Sequence, residues 1–181
     1  PQINLLRHLR NIKGIKKVFI GSGIRYDLLM SDKKHCAEYM LELVKHHVSG
    51  QLKIAPEHIS PNVLKIMGKP QSQSLLKFKQ DFEKTSRQSG QKQFLTYYFI
   101  AAHPGCTDEN MHELKSFAGR ELKTHPRQVQ IFTPLPSTYS SLMYCTETDP
   151  FTGRKIFVEK KSDRKQRQKD VVVGKTFKSR A

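Results

Sequence analysis

The sequence predicts an α/β fold on a parallel sheet, because short apolar runs alternate along the chain with segments of helical period. The runs also end in the same way, each passing into glycine, proline and small polar or ionisable residues. Alternating β and α units of this kind imply right-handed crossovers and a ligand site at the carboxyl ends of the strands. At 181 residues the chain has one domain's worth of length, enough for a real core.

The first helical segment runs from Ile3 to Ile12 and leads into a short strand, Lys17-Val18-Phe19-Ile20, as though the chain joined a fold midway. The strand ends in Gly21-Ser22-Gly23-Ile24-Arg25. A helix follows from about Asp32 to Val48, with Ser31 as N-cap, Cys36, Ala37, Met40, Leu43, Val44 and His47 at helical spacing, and Ser49-Gly50 as its stop. The second strand, Gln51 to Ala55, runs into Pro56-Glu57-His58, and Ser60-Pro61 then opens a short helix, proline being favoured in a first turn. Ser72 to Ser89 is the next helix, with Leu75, Leu76, Phe78 and Phe82 on one side. The third strand is the aromatic run Phe94 to Ile100, and after it comes a helix from Asp108 to Leu122. The fourth strand, Val129 to Phe132, is closed by Thr133-Pro134-Leu135-Pro136.

The loop His103-Pro104-Gly105-Cys106-Thr107 is the leading candidate site. Its Pro-Gly pair turns the backbone sharply, the glycine admits a ligand to the main chain, and Thr107 is placed to cap the helix from Asp108. An ordinary βα turn with a good cap has the same signature. The other strand ends offer Ser22 with Arg25, Glu57 with His58, and Thr133. On one rim these side chains would suit a polar ligand with hydroxyl, amine and carboxylate groups. Each also has a plainer reading, Arg25 as a surface cation and His103 as the partner of a backbone carbonyl.

Cys36, Cys106 and Cys145 lie 70 and 39 residues apart, which fits neither a disulfide framework nor a zinc ribbon and implies a reducing compartment. Cys36 reads as a small core residue on a helix face. Cys106 reads either as a thiolate favoured near a helix N-terminus or as a buried turn cysteine. No run of about 18 apolar residues could span a membrane, so the expectation is a soluble cytoplasmic protein.

The balance of 32 Lys plus Arg against 16 Asp plus Glu gives a net charge of +16. From Arg154 to Ala181 there are 11 basic and 3 acidic residues, a net +8, so half of the excess lies in the last 28 positions. With few apolar anchors beyond Val171-Val172-Val173, this segment reads as an irregular basic tail, either a flexible arm or one docked at the periphery. It could screen an RNA backbone or meet an acidic partner, although it carries no stacking platform.

Three stretches, Val18 to Asp27, Val44 to His58 and Phe99 to Thr107, closely resemble the YgiQ-type radical S-adenosylmethionine (SAM) proteins. The likeness runs over about residues 13 to 170 and takes in Gln128-Val129-Gln130 before Phe132-Thr133-Pro134, then Met143-Tyr144, Thr146 and Asp149-Pro150. Ile131 stands where that family usually has an acid, and Cys145 and Glu147 replace a tyrosine and a glycine.

The resemblance implies a partial parallel (β/α) barrel, with residues 1–136 as the C-terminal half of a radical SAM core and 137–181 as a family-specific C-terminal region with its basic tail. It implies S-adenosylmethionine and a 4Fe–4S cluster as cofactors of the full-length form. The C-x-x-x-C-x-x-C loop that holds the cluster in that family is absent from this chain. The matching SAM wall would be Ser22, Arg25, Glu57, His103, Gly105 and Thr107. Substrate and catalytic residues are not implied, and the chain alone is expected to be inactive. The alternative function is a non-catalytic basic binding protein for RNA or an acidic partner on a half-barrel scaffold.

Overall fold

The computed structural model describes residues 1–174 and shows a mixed α/β chain with one three-stranded parallel sheet in the order β1-β2-β3, not closed into a barrel. The strands are β1 (Gln51–Glu57), β2 (Phe94–Ala101) and β3 (Gln128–Ile131). Helices α1 (Gln2–Arg10), α2 (Tyr26–Ser31) and α3 (Cys36–Glu42) precede the sheet, with a π-helical turn Leu43–His47 continuing α3. Helices α4 (Pro61–Ile66) and α5 (Ser72–Gln88) join β1 to β2, and α6 (Asp108–Phe117), extended by a π-helical turn Ala118–Leu122, joins β2 to β3. Two more helices, α7 (Tyr139–Thr146) and α8 (Ser162–Val173), follow β3. No helix among the described residues is long and apolar enough to cross a membrane.

The chain divides into two compact units, Pro1–Ala55 with Gln73–Thr96, and Pro56–Ser72 with Tyr97–Ala181. In the first, Leu43, Val44, Leu52, Ile54, Leu75, Phe78 and Phe82 are fully buried. Burial alternates along β1, so Leu52 and Ile54 point into this core while Gln51 stays outside. Buried Glu42 accepts hydrogen bonds from Arg7 Nε and Arg10 Nε at 2.9 Å each, and His47 Nε2 lies 3.4 Å from it. Burial raises the pKa of this carboxyl, but the Arg7 hydrogen bond, Arg10 and His47 outweigh it and hold the value below the usual range.

The second unit contains the carboxyl ends of all three strands. Its core includes Val63, Leu64, Phe99, Ala101, Met111, Leu114 and Ala118. β2 and β3 pair in parallel from Tyr98 opposite Gln128 to Ala101 opposite Ile131. Pro61 occupies the first turn of α4, and α6 starts from a capping box in which Thr107 accepts from the Asn110 amide while Asn110 Oδ1 accepts from the Thr107 amide.

Three expectations need correction. Lys17–Ile20 is extended but forms no strand; only Ile24 bridges β1, at Ile54, and Phe19 is exposed. The Ile20 amide donates instead to His47 O of the π-helical turn, and His47 Nδ1 to Val18 O, so these two backbone groups are satisfied without a ladder. The single helix expected over Asp32–Val48 is α2 plus α3 with its π-helical continuation, interrupted where Asp32 Oδ1 accepts from the Lys34 and His35 amides. The segment expected as an irregular tail is helical from Ser162 to Val173, with Gln168 and Val172 buried. Lys175, Lys178 and Arg180 lie outside the described residues.

Candidate functional site

The loops after the strands in the second unit converge on a buried polar cluster. β1 ends at Glu57 in the left-handed conformation, φ 66°, and β2 passes directly into Ala102, φ 58°. A non-glycine residue held there costs on the order of 1 kcal/mol and persists only where its surroundings enforce it. At Ala102 the enforcing contact comes from α8, since the Ala102 amide donates to Gln168 Oε1 at 2.9 Å. Gln168 Nε2 donates to Cys106 O at 3.3 Å, so one buried side chain fastens both ends of the His103–Cys106 loop.

The loop is fixed from within as well. His103 is buried; its Nδ1 lies 2.9 Å from the Pro104 carbonyl, which only accepts, so Nδ1 carries the proton and Nε2 accepts from Ser140 Oγ at 2.8 Å. The His103 ring meets Phe132 edge-on at 5.0 Å between centroids. Gly105 has φ 82°, donates its amide to Phe157 O at 2.7 Å, and packs against Ile66 Cδ1. The positive φ favours glycine at this position, and a Cβ here would also displace the end of the Ile66 side chain.

Behind the loop lies a thiol–imidazole pair. His58 Nδ1 accepts from the Ser60 amide at 3.0 Å, so its proton is on Nε2, which sits 3.5 Å from Cys106 Sγ. The sulfur is also 3.4 Å from Met111 Sδ. Burial pushes the Cys106 thiol up to about 12 and, with a smaller repulsion from His103, pushes His58 down to about 4. The pair is therefore neutral thiol and neutral imidazole. Of the two sequence readings of Cys106, the buried turn cysteine describes its environment, and the nearby helix N-terminus does not offset the desolvation.

The remaining predicted site residues fall in both units. Ser22 and Arg25 belong to the first, where Arg25 donates to both carboxylate oxygens of Asp27 at 2.9 and 2.6 Å and holds its pKa below the ordinary value. Glu57 belongs to the second, its carboxylate 3.6 Å from Lys69 Nζ. The second unit thus brings together Glu57, His103, Gly105 and Thr107. Sequence reasoning missed Gln168 and the pairing of His58 with Cys106. A glutamine on a polar helix carries no mark of burial, and a contact across 48 positions leaves no local pattern.

Cys36 is half-buried in the first unit, and Cys106 and Cys145 are in the second, with Cys145 exposed. Among the described residues no group of three His, Cys, Asp or Glu side chains could hold a metal ion. A cluster with three thiolate ligands therefore does not fit the residues of this chain.

No family model matches the sequence. It is similar to a UPF0313 protein of Fusobacterium nucleatum, 55% identical over 174 residues, which takes in 96% of this chain and 31% of that protein. A UPF0313 protein of Clostridium perfringens is 46% identical over 92% of this chain and 25% of its own length. One from Thermotoga neapolitana is 40% identical over 96% of this chain and 30% of its own length. The chain spans about a quarter to a third of the curated relatives it matches.

Proposed function

We propose that this chain forms the S-adenosylmethionine side of a radical SAM core, the C-terminal half of a partial (β/α) barrel. In this reading the 4Fe–4S cluster is held by a cysteine loop elsewhere in a longer protein. The supporting observation is that β1 and β2 both run into left-handed, non-glycine residues, Glu57 and Ala102, inside two of the three stretches that carry the resemblance. Locally strained strand ends at the carboxyl edge of a parallel sheet are where such folds keep their ligands. The similarity to a fraction of each UPF0313 protein agrees with a part of a larger protein.

Within this reading the cofactor would supply the radical chemistry, and the chain would bind and orient it. Glu57, already close to Lys69, would accept from a ribose hydroxyl or an ammonium group. Arg25 would pair the cofactor carboxylate while keeping Asp27 as its support. Ser22 would offer a hydroxyl. His103, Gly105 and Thr107 would act by holding loop shape, since their polar atoms already serve the loop and the α6 cap.

The test uses a full-length UPF0313 relative carrying the cysteine loop, reconstituted anaerobically with iron and sulfide. Changing the residues equivalent to Glu57 or Arg25 to alanine should weaken S-adenosylmethionine binding by about 1.5–3 kcal/mol in calorimetry, with cluster content unchanged. Variants at the Lys53 and Lys79 equivalents serve as controls. Unchanged affinity in both site variants, with the fold intact, would remove these residues from the cofactor wall.

A further inference from the structure

The second unit has a groove of about 820 Å³ between α4, α7 and the turn from Asp149 to Arg154, with Gly105 of the β2 loop also in its wall. Such a volume accommodates a nucleotide-sized ligand. Two aromatic rings stand at its edge: Phe151 is 71% exposed and Tyr139 63%, with centroids 4.8 Å apart. Three cations line it, Lys65, Arg154 and Lys155, against one acid, Asp149, a local balance of 3 − 1 = +2. None of the three forms an ion pair among the described residues.

The exposed ring is displayed on a rigid turn. Asp149 Oδ1 accepts from the Phe151 amide at 2.9 Å and Oδ2 from Thr152 Oγ1 at 2.7 Å. The Asp149 amide donates to Arg154 O at 2.8 Å, and Thr148 bridges Lys155 antiparallel. The acid is thus engaged in holding the turn, which leaves the cations to set the sign of the field. A fixed aromatic in water gains little for the fold, but it removes most of the ordering cost of stacking on a ligand. Exposed rings interleaved with cations in excess of the local acid make a platform for bases and a track for phosphates.

We propose that this groove binds single-stranded nucleic acid, one base stacking on Phe151 and the flanking phosphates facing Lys65, Arg154 and Lys155. A strand fits better than a free nucleotide because the rings and cations are open to solvent and the chain's net charge of +16 extends the attraction along a polyanion. The inference does not depend on the SAM reading, and it places contact in a groove built from the fold.

The probe is a fluorescently labelled eight-nucleotide oligouridylate titrated into the 181-residue chain and read by anisotropy at several salt concentrations, with oligothymidylate, uridine monophosphate and phosphatidylserine vesicles as further arms. Phe151→Ala should weaken oligomer binding about tenfold, since stacking contributes that order per base. Phe94→Ala, which removes an exposed ring of the first unit, should leave it unchanged. Arg154→Ala should reduce the salt slope by about one phosphate's worth. Equal affinity of the Phe151 and Phe94 variants would overturn the proposal. So would uridine monophosphate binding as tightly as the oligomer, or loss of binding only when Lys175, Lys178 and Arg180 are changed to alanine. Capture by vesicles with the same Phe151 dependence and no oligomer binding would assign the surface to a membrane instead.

Discussion

Cys106 and His58 show how much a single residue's chemistry depends on burial. A cysteine two positions before a helix invites a reading as an activated thiolate, yet desolvation dominates and lifts its pKa to about 12. Iodoacetamide at neutral pH should therefore label exposed Cys145 rapidly and Cys106 only on unfolding, with mass spectrometry of the native protein giving the order. Early modification of Cys106 would show that the loop opens readily. His58 gives the matching acid-side expectation. Its folded value, about 4, lies below its ordinary 6.5, so the unfolded chain binds more protons in that interval. Its contribution is fully present above pH 6.5 and is lost as the pH falls toward 4. Lowering the pH from about 7.5 to about 5 should cost on the order of 2 kcal/mol through this group, measured by urea unfolding. His103 and His46, both lowered chiefly by burial, act in the same direction and the same interval, whereas Glu42, held below its ordinary 4.5, contributes only at lower pH. His58→Gln should flatten the dependence, and an unchanged slope would move its origin to those other groups.

At the level of elements, α8 has the largest role that its sequence hides. Its buried positions, Gln168 and Val172, are few among exposed charges, and one of them is polar. Gln168→Ala should destabilise the protein by about 1–3 kcal/mol, because the Ala102 amide and the Cys106 carbonyl would lose a buried partner. Chemical denaturation would measure this, and a neutral result would mean that water replaces the side chain. The same helix sends Lys165 to Tyr144, with Nζ 2.7 Å from the phenol oxygen and 4.6 Å from the ring centroid. Elements with strong local signals were legible in the sequence: β1 and β2 from their apolar runs, α5 from its periodicity, α4 from Pro61, and α6 from the Thr107 cap. Lys17–Ile20 misled because an apolar run shows that a segment is extended and cannot show whether a partner strand completes a ladder beside it. α7 and the Asp149–Arg154 turn passed unnoticed because their order comes from caps and side-chain hydrogen bonds at Thr138 and Asp149. Of the candidate site, the loops were legible from their motifs. Their partners Lys69, Ser140 and Gln168 were not, since each is chosen by three-dimensional proximity.

For the molecule as a whole, a net charge of +16 coexists with a buried acid, Glu42, that draws Arg7, Arg10 and His47 around it. Part of the surface positive charge, on Arg7 and Arg10, is thus tied to a buried carboxylate of the first unit, and an excess of cations need not mean a uniformly basic exterior. The curated relatives are three to four times as long as this chain, and among its described residues Leu28, Phe94 and Leu135 are exposed. The fastening of the β2 loop by Gln168 also sets an order of events during synthesis. Ala102 and Cys106 meet a side chain 66 and 62 positions later, so the loop leaves the ribosome long before the group that completes it. Until α8 emerges and docks, Ala102 has no such hold on its left-handed conformation, and the strand end that carries the loop motif completes its geometry only after α8 is in place.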